Sequence, residues 1–85
     1  MMIRVRFATP DDAAELIEMN REFNGVDGLD QVTVRQELAR GTELVAVADA
    51  GERLAGYCCV QHYKSFCYPR GIAELTELYV REEYR

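Results

Sequence analysis

Three strand-like segments follow one another between Glu43 and Val80, separated only by turns and one short loop, and that meander decides the fold class. Leu44-Val45-Ala46-Val47-Ala48 is a continuous apolar run bounded by Glu43 and Asp49, so a strand covered on both faces is predicted over 43–49. Ala50-Gly51-Glu52 is a hairpin turn signal. The returning strand, 53–63, puts Tyr57, Cys59, Gln61 and Tyr63 on one face and Cys58, Val60 and His62 on the other. Gly56 inside it marks a bulge or a close backbone approach. A loop over 64–71, rich in aromatics, leads to the last strand, 72–80. Strands joined this closely pair antiparallel.

The segments before the meander read differently. Ile3, Val5 and Phe7 alternate with Arg4 and Arg6, which predicts a first strand over about 2–8 with one buried face. Thr9-Pro10-Asp11-Asp12 is a helix start: Thr9 as cap, Pro10 in the first turn, and two acids at the positive end of the helix dipole. Ala13, Leu16, Ile17 and Phe23 form its apolar stripe, and Asn24-Gly25 ends it. Residues 24–31 read as a loop. Thr33 and Gln36 have capping-box spacing, so a second short helix starts at Thr33 and stops at Gly41. The order β-α-α-β-β-β predicts one α+β domain over 1–85, with two helices packed on a mostly antiparallel sheet.

Charge and cysteine content limit the function classes. The net charge is −5, with Lys64 the only lysine, which disfavours binding to a nucleic-acid backbone and suits amines or other cations. Cys58, Cys59 and Cys67 form neither a disulfide frame nor a zinc-ligand spacing, so no metal site is expected and free thiols in a reducing cytoplasm are. Met1-Met2-Ile3-Arg4-Val5-Arg6 has no long apolar run, so neither a signal peptide nor a membrane span is expected there.

One stretch carries most of the functional information: Glu74-Leu75-Thr76-Glu77-Leu78-Tyr79-Val80-Arg81-Glu82-Glu83-Tyr84-Arg85. It resembles the central strand of GNAT-superfamily N-acetyltransferases, where Glu-Leu-x-x-Leu-Tyr-Val runs through a charged turn toward the acetyl-CoA pyrophosphate loop. The opening Ile3-Arg4-Val5-Arg6-Phe7-Ala8-Thr9-Pro10-Asp11-Asp12-Ala13 and the segment Arg53-Leu54-Ala55-Gly56-Tyr57 are similar to the family's first strand and third strand. The element order matches the N-terminal half of that fold, and Arg85 would stand immediately before the first glycine of the loop.

The resemblance implies transfer of acetyl from acetyl-CoA to a primary amine, on a small molecule or a peptide. It implies that the fourth strand bulges and leaves main-chain groups of Leu78, Tyr79 and Val80 to hold the pantetheine arm. It implies a carboxylate on that strand as general base, with Glu74 the best match and Glu77 the second. On a regular strand these two point to opposite faces, so only a bulge would bring both to one pocket. Asn20, Phe23 and Asn24 fall where the family binds its acceptor. Because the resemblance stops ahead of the loop, full activity is expected of a longer or complemented protein. The alternative is a non-catalytic remnant that self-associates through its last strand, where an open edge makes a homo-oligomer the expectation.

Overall fold

The meander sets the order of the sheet. In the computed structural model, which describes residues 2–85, four antiparallel strands lie in sequence order: β1 (Arg4–Phe7), β2 (Leu44–Asp49), β3 (Leu54–Tyr63) and β4 (Ile72–Val80). Between β1 and β2 run a 3-10 turn (Pro10–Asp12), α1 (Ala13–Asn24) and α2 (Gln31–Arg40). A second 3-10 turn, Glu82–Tyr84, follows β4. The architecture is α+β, as the alternation of periods predicts. No helix among the described residues is long and apolar enough to cross a membrane.

Both helices stop where glycine takes the left-handed conformation, at Gly25 and Gly41. The starts differ from expectation. Asp30, not Thr33, caps α2: its two carboxylate oxygens accept from the Thr33 N–H at 2.9 Å and the Thr33 hydroxyl at 2.8 Å. A carboxylate at the positive end of a helix competes successfully with the hydroxyl three residues on. At the other start, Asp12 reaches back to the Thr9 N–H at 2.8 Å and is buried rather than simply facing the dipole.

The core lies under α1. Leu16, Met19, Val47, Leu54 and Tyr57 form it, with Ala8, Leu38, Val45, Cys59 and Tyr79 packed around. Met19 is fully buried, whereas Phe23 sits at the rim. The expected burial on β1 is reversed. Val5 and Phe7 are 74% and 70% exposed, while the Arg6 side chain is half-buried in a bidentate pair with Asp12, at 2.8 and 2.9 Å, and a 3.1 Å contact with Asp49. β2 departs differently: coverage on both faces is the expectation, but the helices cover one face of the sheet only and Leu44 is exposed. Alternation reports that a strand has two unlike faces, and tertiary packing decides which one is covered.

Gly56 is a point of close approach. A Cβ there would collide with the Tyr79 carbonyl oxygen and lie 3.1 Å from Val80 Cα. A register irregularity opposite Ala48 and Asp49 falls beside it.

In the charged turn Arg81-Glu82-Glu83 that follows β4, Glu82 and Glu83 are exposed but Arg81 is not. Arg81 is 3% exposed. Its Nε donates to Leu54 O at 2.9 Å, and Nη1 to Glu22 at 2.7 Å and Glu18 at 3.2 Å. Glu15 stands 3.6 Å from Nη2 and itself accepts from the Leu54 N–H at 2.8 Å. One side of α1 is thus fastened to the far ends of β3 and β4 by charge-assisted bonds.

Candidate functional site

A bulge in β4 builds the site. Glu77 lies opposite Cys59, Leu75 opposite Val60 and Glu74 opposite Gln61. Thr76 is therefore the extra residue, and its hydroxyl donates to Cys59 O at 3.2 Å. Cys59 and Gln61 are two residues apart on β3, so they share a face. Glu74 and Glu77 consequently share it too, although three residues separate them. This is the face on which the helices pack.

A cavity of about 360 Å³ opens there between α1, α2 and the sheet. Leu16, Ile17, Val34 and Leu38 supply apolar walls; Asn20, Glu43, Tyr57, Cys59 and Glu77 supply the polar groups. Of the two candidate bases, Glu77 lines it and Glu74 does not. Asn24 Nδ2 donates to Glu77 Oε1 at 2.9 Å and to Asn20 Oδ1 at 2.7 Å. Three residues singled out by the sequence, Asn20, Asn24 and Glu77, thus form one hydrogen-bonded chain linking α1 to β4. Phe23 goes elsewhere: it stacks on Tyr79 with ring centroids 5.0 Å apart, outside the cavity lining.

The open edge of β4 lies beside this chain. The Arg81 N–H bonds Ala55 O at 2.8 Å. Antiparallel alternation then turns the main-chain groups of Tyr79 toward β3 and those of Leu78 and Val80 outward. Val80 O accepts from Arg85 Nε at 2.8 Å, consistent with that direction. The Tyr79 hydroxyl donates to Glu22 at 2.8 Å, and the hydrogen bond to that carboxylate raises its pKa.

The cavity floor was legible only in part. Glu43 reads in the sequence only as a strand boundary, yet Gln61 Nε2 donates to it at 2.8 Å and it lines the cavity. Its period-two relation to Val45 and Val47 is the signal that places it on the covered face. Burial, followed by the charges of Glu43 and Glu77, pushes the Cys59 thiol up to about 12. Burial, with smaller contributions from Cys59, Glu77, Tyr79 and Glu43, pushes the Tyr57 phenol up to about 12. The Tyr57 hydroxyl is buried with no hydrogen-bond partner among the described residues.

No protein-family model matches the sequence, and no curated protein matches it. Solved structures do. A Trypanosoma brucei acetyltransferase superposes with a TM-score of 0.81 at 16% identity, over 99% of this chain and 63% of that one. A ribosomal-protein-alanine N-acetyltransferase from Brucella melitensis gives 0.80 at 13% identity, over 100% of this chain and 61% of that one. A protein of Arthrobacter sp. gives 0.66 at 30% identity, over 92% of this chain and 53% of that one. The chain therefore spans less than two thirds of the length of the structures it matches. These 85 residues are the N-terminal part of a GNAT acetyltransferase fold.

Proposed function

We propose that the chain provides the acceptor side of an N-acetyltransferase, with a primary amine held against Glu77 and acetyl-CoA as the acyl donor. The observation that carries this reading is the position of Glu77. It stands one residue past the β4 bulge, on the cavity wall, tethered by Asn24, and next to the outward-facing backbone of Leu78. An ammonium ion is not nucleophilic until a base takes its proton. Asn24 occupies Oε1 of Glu77, so Oε2 remains to accept from the amine. The Asn20 carbonyl, already facing Asn24, orients the same nitrogen.

The outward main-chain groups of Leu78 and Val80 suit the amide arm of acetyl-CoA, which would pair with them like an added strand. When bound, that molecule supplies the thioester whose acetyl group is transferred. Arg85 would have to release Val80 O for the pairing to extend that far.

The test is acetyl transfer to a panel of amines by the protein and by its Glu77→Gln and Glu74→Gln variants. Glu77→Gln should lower kcat by roughly 100-fold or more, the usual contribution of a general base. A larger loss from Glu74→Gln would reverse the assignment. Absence of calorimetric heat with millimolar acetyl-CoA would reject a donor site in this chain.

A second reading is favoured by the sheet itself. Its uncovered face exposes Val5, Phe7, Leu44, Leu75, Leu78 and Val80, and β4 is an edge strand. Copies that pair through β4 would satisfy that open edge and join the two apolar faces into one larger surface, and the pairing would use the same edge as the acyl donor. Acetyl-CoA should then shift a dimer toward monomer in analytical ultracentrifugation. A monomer at every concentration removes this reading and leaves the first intact.

A further inference from the structure

The cavity holds an imbalance that a single amine does not resolve. Glu37, Glu43 and Glu77 line it, and no lysine, arginine or histidine does. Glu37 has Arg40 at 3.4 Å. Glu43 and Glu77 are bonded only to neutral amides, those of Gln61 and Asn24, and among the described residues neither has a cationic partner within 4 Å. Partly enclosed carboxylates without counter-charge are a recurrent mark of a site that receives cations.

Tyr57 supplies an independent sign. It is 6% exposed, lines the cavity, and its hydroxyl has no partner. A buried hydroxyl left unpaired is destabilising, and a ligand group can satisfy it. The charges of Glu43 and Glu77 both act on Tyr57 and on Cys59. The pairing gives the scale. Glu77, Cys59 and Val45 are cross-strand neighbours, and Glu43 is two residues from Val45. With strands about 4.8 Å apart and a rise of about 3.3 Å per residue, the Glu43 and Glu77 Cα atoms are about 12 Å apart. Between them the surfaces are apolar: Leu16 and Ile17 from α1, Val45 and Cys59 from the sheet.

We propose that the acceptor is a dication: an aliphatic α,ω-diamine whose reacting nitrogen lies at Glu77 and whose second ammonium ion is held by Glu43. Its alkyl chain crosses the floor beneath α1. The Tyr57 hydroxyl oxygen accepts from one of the two nitrogens. This rests on the reading of Glu77 as the amine's proton acceptor and adds a second anchor that fixes the substrate class. A side-chain reach inward from each Cα leaves room for about four to six methylenes between the nitrogens.

Binding separates this proposal from that reading. In a nuclear magnetic resonance titration of the full chain, 1,5-diaminopentane should bind at least about tenfold more tightly than 1-aminopentane. Glu43→Gln should erase the preference, and Glu77→Gln should weaken both amines. Gln61→Met, which frees Glu43 from its orienting amide, should reduce the preference by about threefold and serves if Glu43→Gln loses its spectral dispersion. Equal affinity for the two amines, or a preference that survives Glu43→Gln, overturns the second anchor while Glu77 keeps its role. No binding of either amine overturns both.

Discussion

The two faces of this sheet obey opposite rules. The face under α1 buries Met19, Val47 and Tyr57, and its polar groups are tied into defined contacts: Arg81 with three glutamates, Asn24 with Glu77, Glu43 with Gln61. The other face is more uniformly apolar, yet Val5, Phe7 and Leu78 are all more than half exposed. Hydrophobic composition therefore does not locate the working surface of this chain. Packing concentrates the chemistry where apolar walls and polar side chains are interleaved. The bare face has the character of an unfilled contact, since exposed apolar patches of this kind usually mark surfaces that bind something.

The sharpest way to break this contrast is to truncate one residue from each face. Met19→Ala opens a void in the core and should cost about 2–5 kcal/mol, read from urea denaturation. Phe7→Ser should stay within about 0.5 kcal/mol, because an exposed side chain has little packing to lose. If Phe7→Ser proves as costly as Met19→Ala, something covers the second face in solution.

Arg81 comes next. Arg81→Ala should cost about 2–4 kcal/mol, because it removes bonds to Leu54 O, Glu18 and Glu22 and leaves three acids clustered on one side of α1. The loss falls short of that for a fully buried pair, since the glutamates are partly hydrated. Arg81→Lys should recover only part of it, as an ammonium ion cannot serve a carbonyl and two carboxylates in the same plane. Full recovery by lysine would mean that charge, not geometry, fastens α1 to β4.

A smaller effect comes from the pair that half-buries the Arg6 side chain. Hydrogen bonds from Arg6 hold the Asp12 carboxyl below its ordinary value of 3.8, and burial opposes them. A depressed pKa means the unfolded chain binds more protons, so stability rises with pH through this window. The contribution is complete above about pH 4 and is lost as pH falls through the lower, folded value. Asp12→Asn should cost about 1–2 kcal/mol at pH 7 and flatten the acid limb of the stability profile. An unchanged limb would assign acid sensitivity to other carboxylates, of which Asp49 is first, held low by the Gly51 N–H and by Arg6.

Much of the fold is legible in the chain, and the reasons for the misses are specific. The last strand is found at 72–80 as its pattern indicates, and both helix ends fall at their glycines. Local patterns suffice there because the determining contacts are local. The stripe on α1 was rotated: Met19 is its buried centre and Phe23 its edge, because the sheet below sets which side faces inward. Of the candidate site, Asn20, Asn24 and Glu77 were nameable singly. Their junction spans 53 residues between Asn24 and Glu77 and depends on a bulge at Thr76 that no local pattern announces. Arg81 reads as part of a charged turn because its partners Glu22 and Glu18 lie 59 and 63 residues earlier in sequence, on α1.

The vicinal cysteines give the finest test, because they place one reactive group on each side of the sheet. Cys58 is opposite Leu78 on the open face, and Cys59 is opposite Glu77 on the covered one. Burial and the neighbouring charges of Glu43 and Glu77 push the Cys59 thiol up to about 12, so it is protonated at neutral pH. The thiolate is the reacting form. In a timed iodoacetamide reaction at pH 8 followed by peptide mass spectrometry, exposed Cys67 should react first, Cys58 next and Cys59 last, about tenfold or more behind Cys67. Glu43→Gln removes one of the negative neighbours and should speed Cys59 without changing the rate at Cys67. A diamine lying across the floor should protect Cys59 and leave Cys58 alone. If Cys59 reacts as fast as Cys58, the cavity is open to solvent in a way that would deprive Glu77 and Glu43 of the enclosure on which cation capture depends.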